Sequence, residues 1–417
     1  MIPFSWKSWV DLGAFAAVMS EGIQKKESQQ LSAELQRARV EVDSKSILAV
    51  DLNRFTNANK SKHLGPYLSV LKDKGVAHFV SGSNVDCYKG ACPSPTSTKP
   101  IPFLFSEAKF AWRVYRKLAR LCAKNGKLLP FKASIFRSAQ LFLREWCAWK
   151  RVLEESNIQT CLLVGHYHNE GLIHACRGLG IEVIEVQHGI ILESSMFYVY
   201  PNDWRHVLKN ALFPDQIHVF GSFWRDQLLK GSEFKPSQIH IVGDVLGESV
   251  KKEESATRQP NRLLVCSQTG MAPILRGYLH WLIRDCQEKN MPFSIVIKPH
   301  PSERGDEYKN ICSLSTNVVV SNQALPELLQ AVNSHLTVFS MTLFAALSSG
   351  TRNFSVHYAG RSDFQQEIAD AGVSRFVKSG TNIFEAEYEE SVQAPDPTRF
   401  LADLIPQNRL LQLITIS

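Results

Sequence analysis

Long apolar runs are missing from this 417-residue chain: no stretch of 18 apolar residues occurs, so no membrane-spanning helix is expected. The opening segment, MIPFSWKSWVDLGAFAAVMSEG, has no basic n-region, and Asp11 and Glu21 interrupt its apolar part. A signal peptide is therefore not expected, and the segment reads as a packed amphipathic helix. Cysteine pairs at metal spacing are missing too. Of nine cysteines only Cys87 and Cys92 lie close together, and no second Cys or His pair completes a zinc set. Cys122, Cys147, Cys161, Cys176, Cys266 and Cys286 sit in apolar or helical contexts, as the reduced thiols of a cytoplasmic protein do. Repeats, heptads and low-complexity tracts are absent, which excludes solenoid and coiled-coil architectures.

What is present is the composition of a globular protein, 44% hydrophobic and 21% charged, with a net charge of +7. The length suffices for two domains with full cores. The positive balance suits an anionic ligand, a membrane surface or nucleic acid, and does not choose among them.

A strand–helix rhythm runs through the chain. Strands are expected at 47–51, 76–80, 160–164, 181–186, 216–220 and 238–242, then at 263–266, 293–297, 318–320, 335–339 and, as the last, 353–357. Helical patterns fill many of the gaps, and Gly178, Gly180 and Gly350 stop two of them. The polar stretch Lys251 to Asn261 has linker composition. The expected fold class is α/β: two Rossmann-like domains facing each other across a cleft. The expected division is a helical extension over 1–45, a first domain over 46–250 and a second over 251–396. A tail, 397–417, could cross back to the first half. Inside the first domain, 103–153 is a helical insertion thick with Lys, Arg and aromatics.

In open parallel sheets, ligands bind outside the carboxyl ends of the strands. Four candidate sites sit at such ends. Lys298-Pro-His300-Pro follows the 293–297 strand; Lys offers a point charge, and His a donor or acid, to a phosphate. Ser340-Met-Thr342 opens a helix, where hydroxyls suit an anion or simply cap the helix. Ser267-Gln-Thr269-Gly270 follows the first strand of the second half, and its small residues let backbone N–H groups approach a phosphate. In the first half, His166-Tyr-His168-Asn-Glu170 and Gln187-His188-Gly189 end two neighbouring strands. His188 and Glu170 are the candidate bases: His titrates near neutrality unaided, whereas Glu needs burial. His166, His168 and Gln187 are placed on the acceptor side.

Five segments occur in order: Glu-Val-Gln-His188-Gly-Ile-Ile, Val-Phe-Gly-Ser-Phe-Trp224, Ile-Val-Gly-Asp244, Lys298-Pro-His-Pro, and Phe339-Ser-Met-Thr-Leu-Phe-Ala-Ala-Leu-Ser-Ser-Gly350. Together, over roughly 160–355, they resemble bacterial GT-B glycosyltransferases of capsule and lipopolysaccharide synthesis. Asn169-Glu170-Gly171, His300-Pro301 and Ser340/Thr342 are similar to the motif trio of bacterial sialyltransferases, with Asn169 in place of the first acid. His188-Gly189 and His300-Pro301 are similar to motifs of teichoic-acid-type polyol-phosphate polymerases. The ribose-holding Glu of many such enzymes is replaced here by Ala345-Ala346.

The resemblance implies transfer from a nucleotide sugar, with a CMP-activated acidic sugar favoured, to a bacterial surface polysaccharide or glycolipid. It implies no metal or other cofactor, and the sequence has no Asp-x-Asp. Lys298 and His300 would neutralise the leaving phosphate instead, with His300 catalytic in that sense. A cytoplasmic location, with attachment at the inner membrane surface, suits the basic insertion. A CDP-glycerol or CDP-ribitol phosphotransferase is the alternative. A nucleotide-sugar 2-epimerase ranks lower, because it needs several carboxylates and only Glu170 is at hand. A nucleic-acid-binding surface on 103–153 is the non-enzyme alternative; its aromatics fit a helical core better, and nucleic acid is not the expected partner.

Overall fold

A computed structural model of the chain describes residues 47–51, 63–71, 76–80, 105–124, 132–154, 156–195, 197–199, 212–247, 259–301, 303, 305–378, 380–385 and 395–415. The expected N-terminal extension and the Cys87/Cys92 pair lie outside these residues.

Among the described residues the strands form two six-stranded sheets. The first holds β1 (Ile47–Asp51), β2 (Val76–Val80), β3 (Thr160–Val164), β4 (Glu182–Val186), β5 (Gln216–Val219) and β6 (Ile239–Ile241), in the order β2-β1-β3-β4-β5-β6. The second holds β7 (Gln259–Cys266), β8 (Ser294–Lys298), β9 (Val318–Val320), β10 (Val332–Thr337), β11 (Arg352–Val356) and β12 (Arg375–Val377), in the order β12-β11-β10-β7-β8-β9. Every pairing is parallel. The expected two-domain α/β fold is therefore present, with strands 160–164 and 294–298 in different sheets.

Both orders are those of doubly wound sheets, and each has one point where the winding reverses. In the first sheet it lies between β1 and β3; in the second, between β7 and β10. Helices cover both faces, so the central strands are buried along their length: all five residues of β1 and of β3 are buried.

On one face of the first sheet lie α1 (Gly65–Val70) and, later in the chain, α5 (Ser222–Gly231). The other face carries α2 (Phe105–Lys124), α3 (Lys132–Leu153) and α4 (Glu170–Leu179). The aromatics of the basic insertion serve that core: Phe110, Phe142, Trp146 and Trp149 are all buried. An exposed row on α2, made of Lys109, Arg113, Arg116, Lys117 and Arg120, flanks Trp112. In the second half, α6 (Ala272–Glu288) and the short α7 (Lys309–Cys312) cover one face, and α8 (Leu325–Gln330) and α9 (Thr342–Ser348) the other.

The chain continues past the strand expected to be the last, into α10 (Ser362–Asp370) and β12. It then returns to the first half. Ala402 N–H donates to Phe220 O at 3.0 Å, Asp244 N–H to Ala402 O at 2.9 Å, and Ile405 N–H to Val242 O at 3.0 Å. A side chain at Gly221 or Gly243 would meet the carbonyl of Arg399 or Asp403 at 2.2 Å, so the close approach requires glycine at both. The final helix, α11 (Gln407–Thr415), packs on α1. Trp224 ties the halves: its indole donates to Phe400 O at 2.7 Å, and its ring meets Phe344 of α9 edge-on at 4.8 Å.

Candidate functional site

The β1/β3 reversal of the first sheet is lined with histidine and aromatic side chains. After β3 the backbone turns at Gly165, which has a φ of 74° that favours glycine, and enters a 3-10 turn, His166–His168. His166 is buried and fully engaged. Its Nδ1 lies 2.8 Å from Glu185 Oε2 and its Nε2 2.9 Å from Phe197 O. A carboxylate and a carbonyl only accept, so both ring nitrogens must donate and His166 is an imidazolium. Burial opposes that charge, but the Glu185 carboxylate beside it outweighs burial and moves His166 upward. Glu185 is fully buried on β4. Burial alone would raise it; the charge and hydrogen bond of His166 hold it below the ordinary carboxylate value. The Tyr198 hydroxyl, at 2.8 Å, and the His166 backbone N–H, at 3.2 Å, also donate to Glu185.

Tyr167, next in the turn, points to the β4 loop. Its Oη lies 2.6 Å from His188 Nε2, and its ring stacks on Phe197 at 4.0 Å and 18°. His63, which follows β1, stands edge-on to His188 with centroids 6.2 Å apart. Three adjacent loops thus bring together His63, Tyr167 and His188.

Gln187 is engaged inside the fold: its amide donates to Gly189 O and accepts from Phe220 N–H, both at 2.8 Å. That clamp joins the ends of β4 and β5. Asn169 donates to Gly165 O at 3.0 Å and Val164 O at 3.4 Å. An ionised acid could not donate there, which accounts for an amide at this position. His168 closes the 3-10 turn.

Glu170 opens α4 and is partly exposed. Glu145 of α3 is a neighbour that no spacing rule reveals. It accepts Gly171 N–H at 3.2 Å. Burial, with the Glu170 charge adding to it, pushes Glu145 up to about 8.

The edge of the second sheet differs in kind. After β7, Ser267 is buried, and its hydroxyl meets Tyr308 Oη at 2.5 Å. Gln268 accepts Phe339 N–H at 3.3 Å, which ties the β7 loop to the β10 loop across the reversal. Thr269 is exposed, its Oγ1 3.1 Å from His300 Nδ1, and Gly270 has a φ of 79°. His300 N–H donates to Glu303 at 3.0 Å, and Lys298 Nζ donates to Gln323 O at 2.5 Å. Ser340 Oγ accepts Thr342 N–H at 3.3 Å, a local bond at the start of α9. Lys298, His300, Ser267, Thr269, Gly270, Ser340 and Thr342 therefore lie on three neighbouring loops. Within this set Thr269 meets His300, Ser340 meets Thr342, and Ser267 N–H donates to Lys298 O at 2.9 Å. Ser267 is turned into the core.

Between the edges, Ser194 N–H of the β4 loop donates to Glu367 of α10 at 3.0 Å. Among the described residues no three His, Cys, Asp or Glu side chains cluster as a metal ion would need, and no helix is long and apolar enough to cross a membrane.

Sequence reasoning missed His63, Glu145, Tyr167, Glu185 and Phe197 as site residues. Only Glu185 left a signal: a carboxylate inside an apolar parallel strand needs a buried partner.

No family model matches the sequence, and no curated protein matches it. Among solved structures the chain is similar to the UDP-GlcNAc 2-epimerase of Methanocaldococcus jannaschii, at 12% identity over 89% of this chain and 100% of that one, with a TM-score of 0.49. It is similar to the UDP-GlcNAc 2-epimerase of Neisseria meningitidis, at 14% identity over 80% and 88%, with a TM-score of 0.47. It is also similar to Acinetobacter baumannii MurG, at 11% identity over 89% and 90%, with a TM-score of 0.44.

Proposed function

We propose that the chain is a glycosyltransferase of the GT-B type that moves a sugar from a nucleotide sugar to a bacterial surface polysaccharide or glycolipid. The observation that carries this reading is the division of chemistry between the two reversal points. At β7/β10 and the neighbouring β8 end, hydroxyls, Lys298 and His300 offer donors and positive charge, as a nucleotide phosphate requires. At β1/β3 and the neighbouring β4 end, His188 and, at the start of α4, Glu170 can take up a proton, as an acceptor hydroxyl requires. Lys298 and His300 then neutralise the departing phosphate without a metal ion.

A CMP-activated acidic sugar is the favoured donor. Ala345 and Ala346 are fully buried where a ribose-holding Glu would stand, and the Glu170, His300 and Ser340/Thr342 trio resembles that of sialyltransferases. The exposed basic row on α2, with Trp112 44% exposed beside it, suits attachment to an anionic membrane on the cytoplasmic side, where lipid-linked acceptors sit. Nucleic acid is the weaker partner, because Phe110, Phe142, Trp146 and Trp149 of that region are core residues.

A thermal-shift screen of CMP, CDP and UDP compounds tests the reading. A true donor at 100 times its dissociation constant stabilises by ~2.7 kcal/mol. UDP binding without CMP or CDP binding overturns the favoured donor. Transfer of glycerol phosphate or ribitol phosphate from a CDP donor moves the chain to the phosphotransferase class.

A further inference from the structure

Both ring nitrogens of His188 face into the protein. Nδ1 is buried. Nε2 is covered by the Tyr167 hydroxyl at 2.6 Å. Tyr167 and His188 are both partly exposed, and a proton that passes from a bound molecule to Nε2 must go by way of the Tyr167 hydroxyl that covers it. We propose that Tyr167 is the catalytic residue that meets the acceptor hydroxyl, with His188 behind it as the proton store. The inference rests on the glycosyl-transfer reading above and names the group that performs its proton step.

The surroundings are built to hold this pair. The Tyr167 ring stacks on Phe197 at 4.0 Å, and Phe197 is fixed in turn by its carbonyl, which accepts from His166 at 2.9 Å. His166 is anchored on Glu185 at 2.8 Å. On the other side the His63 ring stands edge-on to His188. The Tyr167–His188 pair is thereby gripped by neighbours on β1, β3 and β4 loops, as a group that must hold one geometry through a reaction is. His166 and Glu185 are positioning residues in this scheme: their donors and acceptors are all engaged within the fold.

The acceptor oxygen forms its bond to the sugar anomeric carbon while the bond from that carbon to the phosphate oxygen breaks. The bonding pair leaves with the phosphate. The acceptor proton passes to Tyr167 Oη, and the Tyr167 proton passes to His188 Nε2. The products are the glycoside, one further negative charge on the nucleotide and an imidazolium at His188. Lys298 and His300 on the other sheet offset the phosphate charge.

The experiment compares Tyr167→Phe, His188→Ala and the double variant in the full chain. The Phe variant keeps the stack and the fold. First, nitrogen-15 NMR follows the His188 ring against pH with no ligand present. A hydroxyl donating to Nε2 favours the neutral ring, so Tyr167→Phe should raise the pH at which His188 titrates; an unchanged titration overturns the pairing. Second, nucleotide release is measured with the nucleotide sugar that gives the largest thermal shift. Each single variant should lose about 10²-fold or more, and the double variant no more than the worse single, because the two residues act as one unit. Transfer within threefold of wild type in Tyr167→Phe, or losses that multiply in the double variant, overturns the proposal. If no nucleotide sugar stabilises the wild type, the glycosyl-transfer reading fails and takes the proton step with it, while the NMR result stands by itself.

Discussion

The two strand edges of this protein have the same backbone logic and opposite side-chain chemistry. Each is the reversal point of a doubly wound parallel sheet. At the first, His166, Glu185 and Gln187 are buried and hydrogen-bonded to one another or to backbone, and Tyr167 is stacked into place. At the second, Thr269, His300, Lys298 and Ser340 are partly or fully exposed and touch each other lightly. A closely packed edge whose buried charges are paired suits the movement of one proton along a fixed path. An edge of exposed donors suits a highly charged group that supplies its own acceptors. One topology can serve both tasks because it fixes where a site lies and leaves its chemistry to the loops.

Breaking the first edge should affect stability most. Glu185→Ala leaves the His166 cation buried without its carboxylate, and should cost about 3–5 kcal/mol in urea unfolding. Breaking the second edge should affect activity and spare the fold. His300→Ala should lower transfer by about 10²–10³-fold, equivalent to ~2.7–4 kcal/mol of barrier, with the melting temperature nearly unchanged. A large loss of stability with activity retained would make His300 a structural residue.

Acidity sharpens the contrast. His166 is raised on folding from 6.5, so its contribution is whole below pH 6.5 and fades as pH rises through its folded value. Glu185 is lowered from 4.5, so its contribution is whole above pH 4.5 and fades as pH falls through its folded value. The pair is strongest between those two pH values. The stability gap between wild type and Glu185→Gln should peak there and narrow on both sides, as read by unfolding at a series of pH values. The smallest effect is expected at Glu145, which is partly exposed and so partly screened by solvent. Its carboxyl goes from 4.5 unfolded to about 8 folded, so stability falls as pH rises through that window. Glu145→Gln should leave the melting temperature unchanged at pH 4 and raise it by a few degrees at pH 9; equal values at both would mean that neither burial nor the Glu170 charge raises Glu145.

The fold was largely legible in the sequence because parallel strands buried on both faces must be apolar along their length, and such runs stand out. Where strands carry polar residues, the reading slipped. β10 begins at Val332, ahead of the expected His335, because Asn333 and Ser334 masked it; Ser334 is buried and accepts from Arg352 at 2.9 Å. β7 begins at Gln259, inside a stretch with linker composition. α10 and β12 were missed because one has few apolar residues and the other is three residues long.

In the candidate site, residues directly following strands were legible, since topology alone puts them on one edge. Glu145, 25 positions before Glu170, was not, because it arrives on the side of a helix. Nor was the Tyr167–His188 bond, since a contact between two loops leaves no spacing pattern. Gln187 reads as a site residue in the sequence, yet its side chain clamps β4 to β5.

The central claim is that the two edges divide the work, the second holding the nucleotide phosphate and the first the acceptor proton. Calorimetric titration of CMP, CDP and UDP into wild type, a Lys298→Ala/His300→Ala double variant and Tyr167→Phe tests it most directly. The account predicts that one nucleotide binds the wild type and Tyr167→Phe within about twofold of each other, under ~0.4 kcal/mol, and binds the double variant at least about tenfold more weakly, over ~1.4 kcal/mol. Equal binding by wild type and the double variant, with loss in Tyr167→Phe, would contradict it.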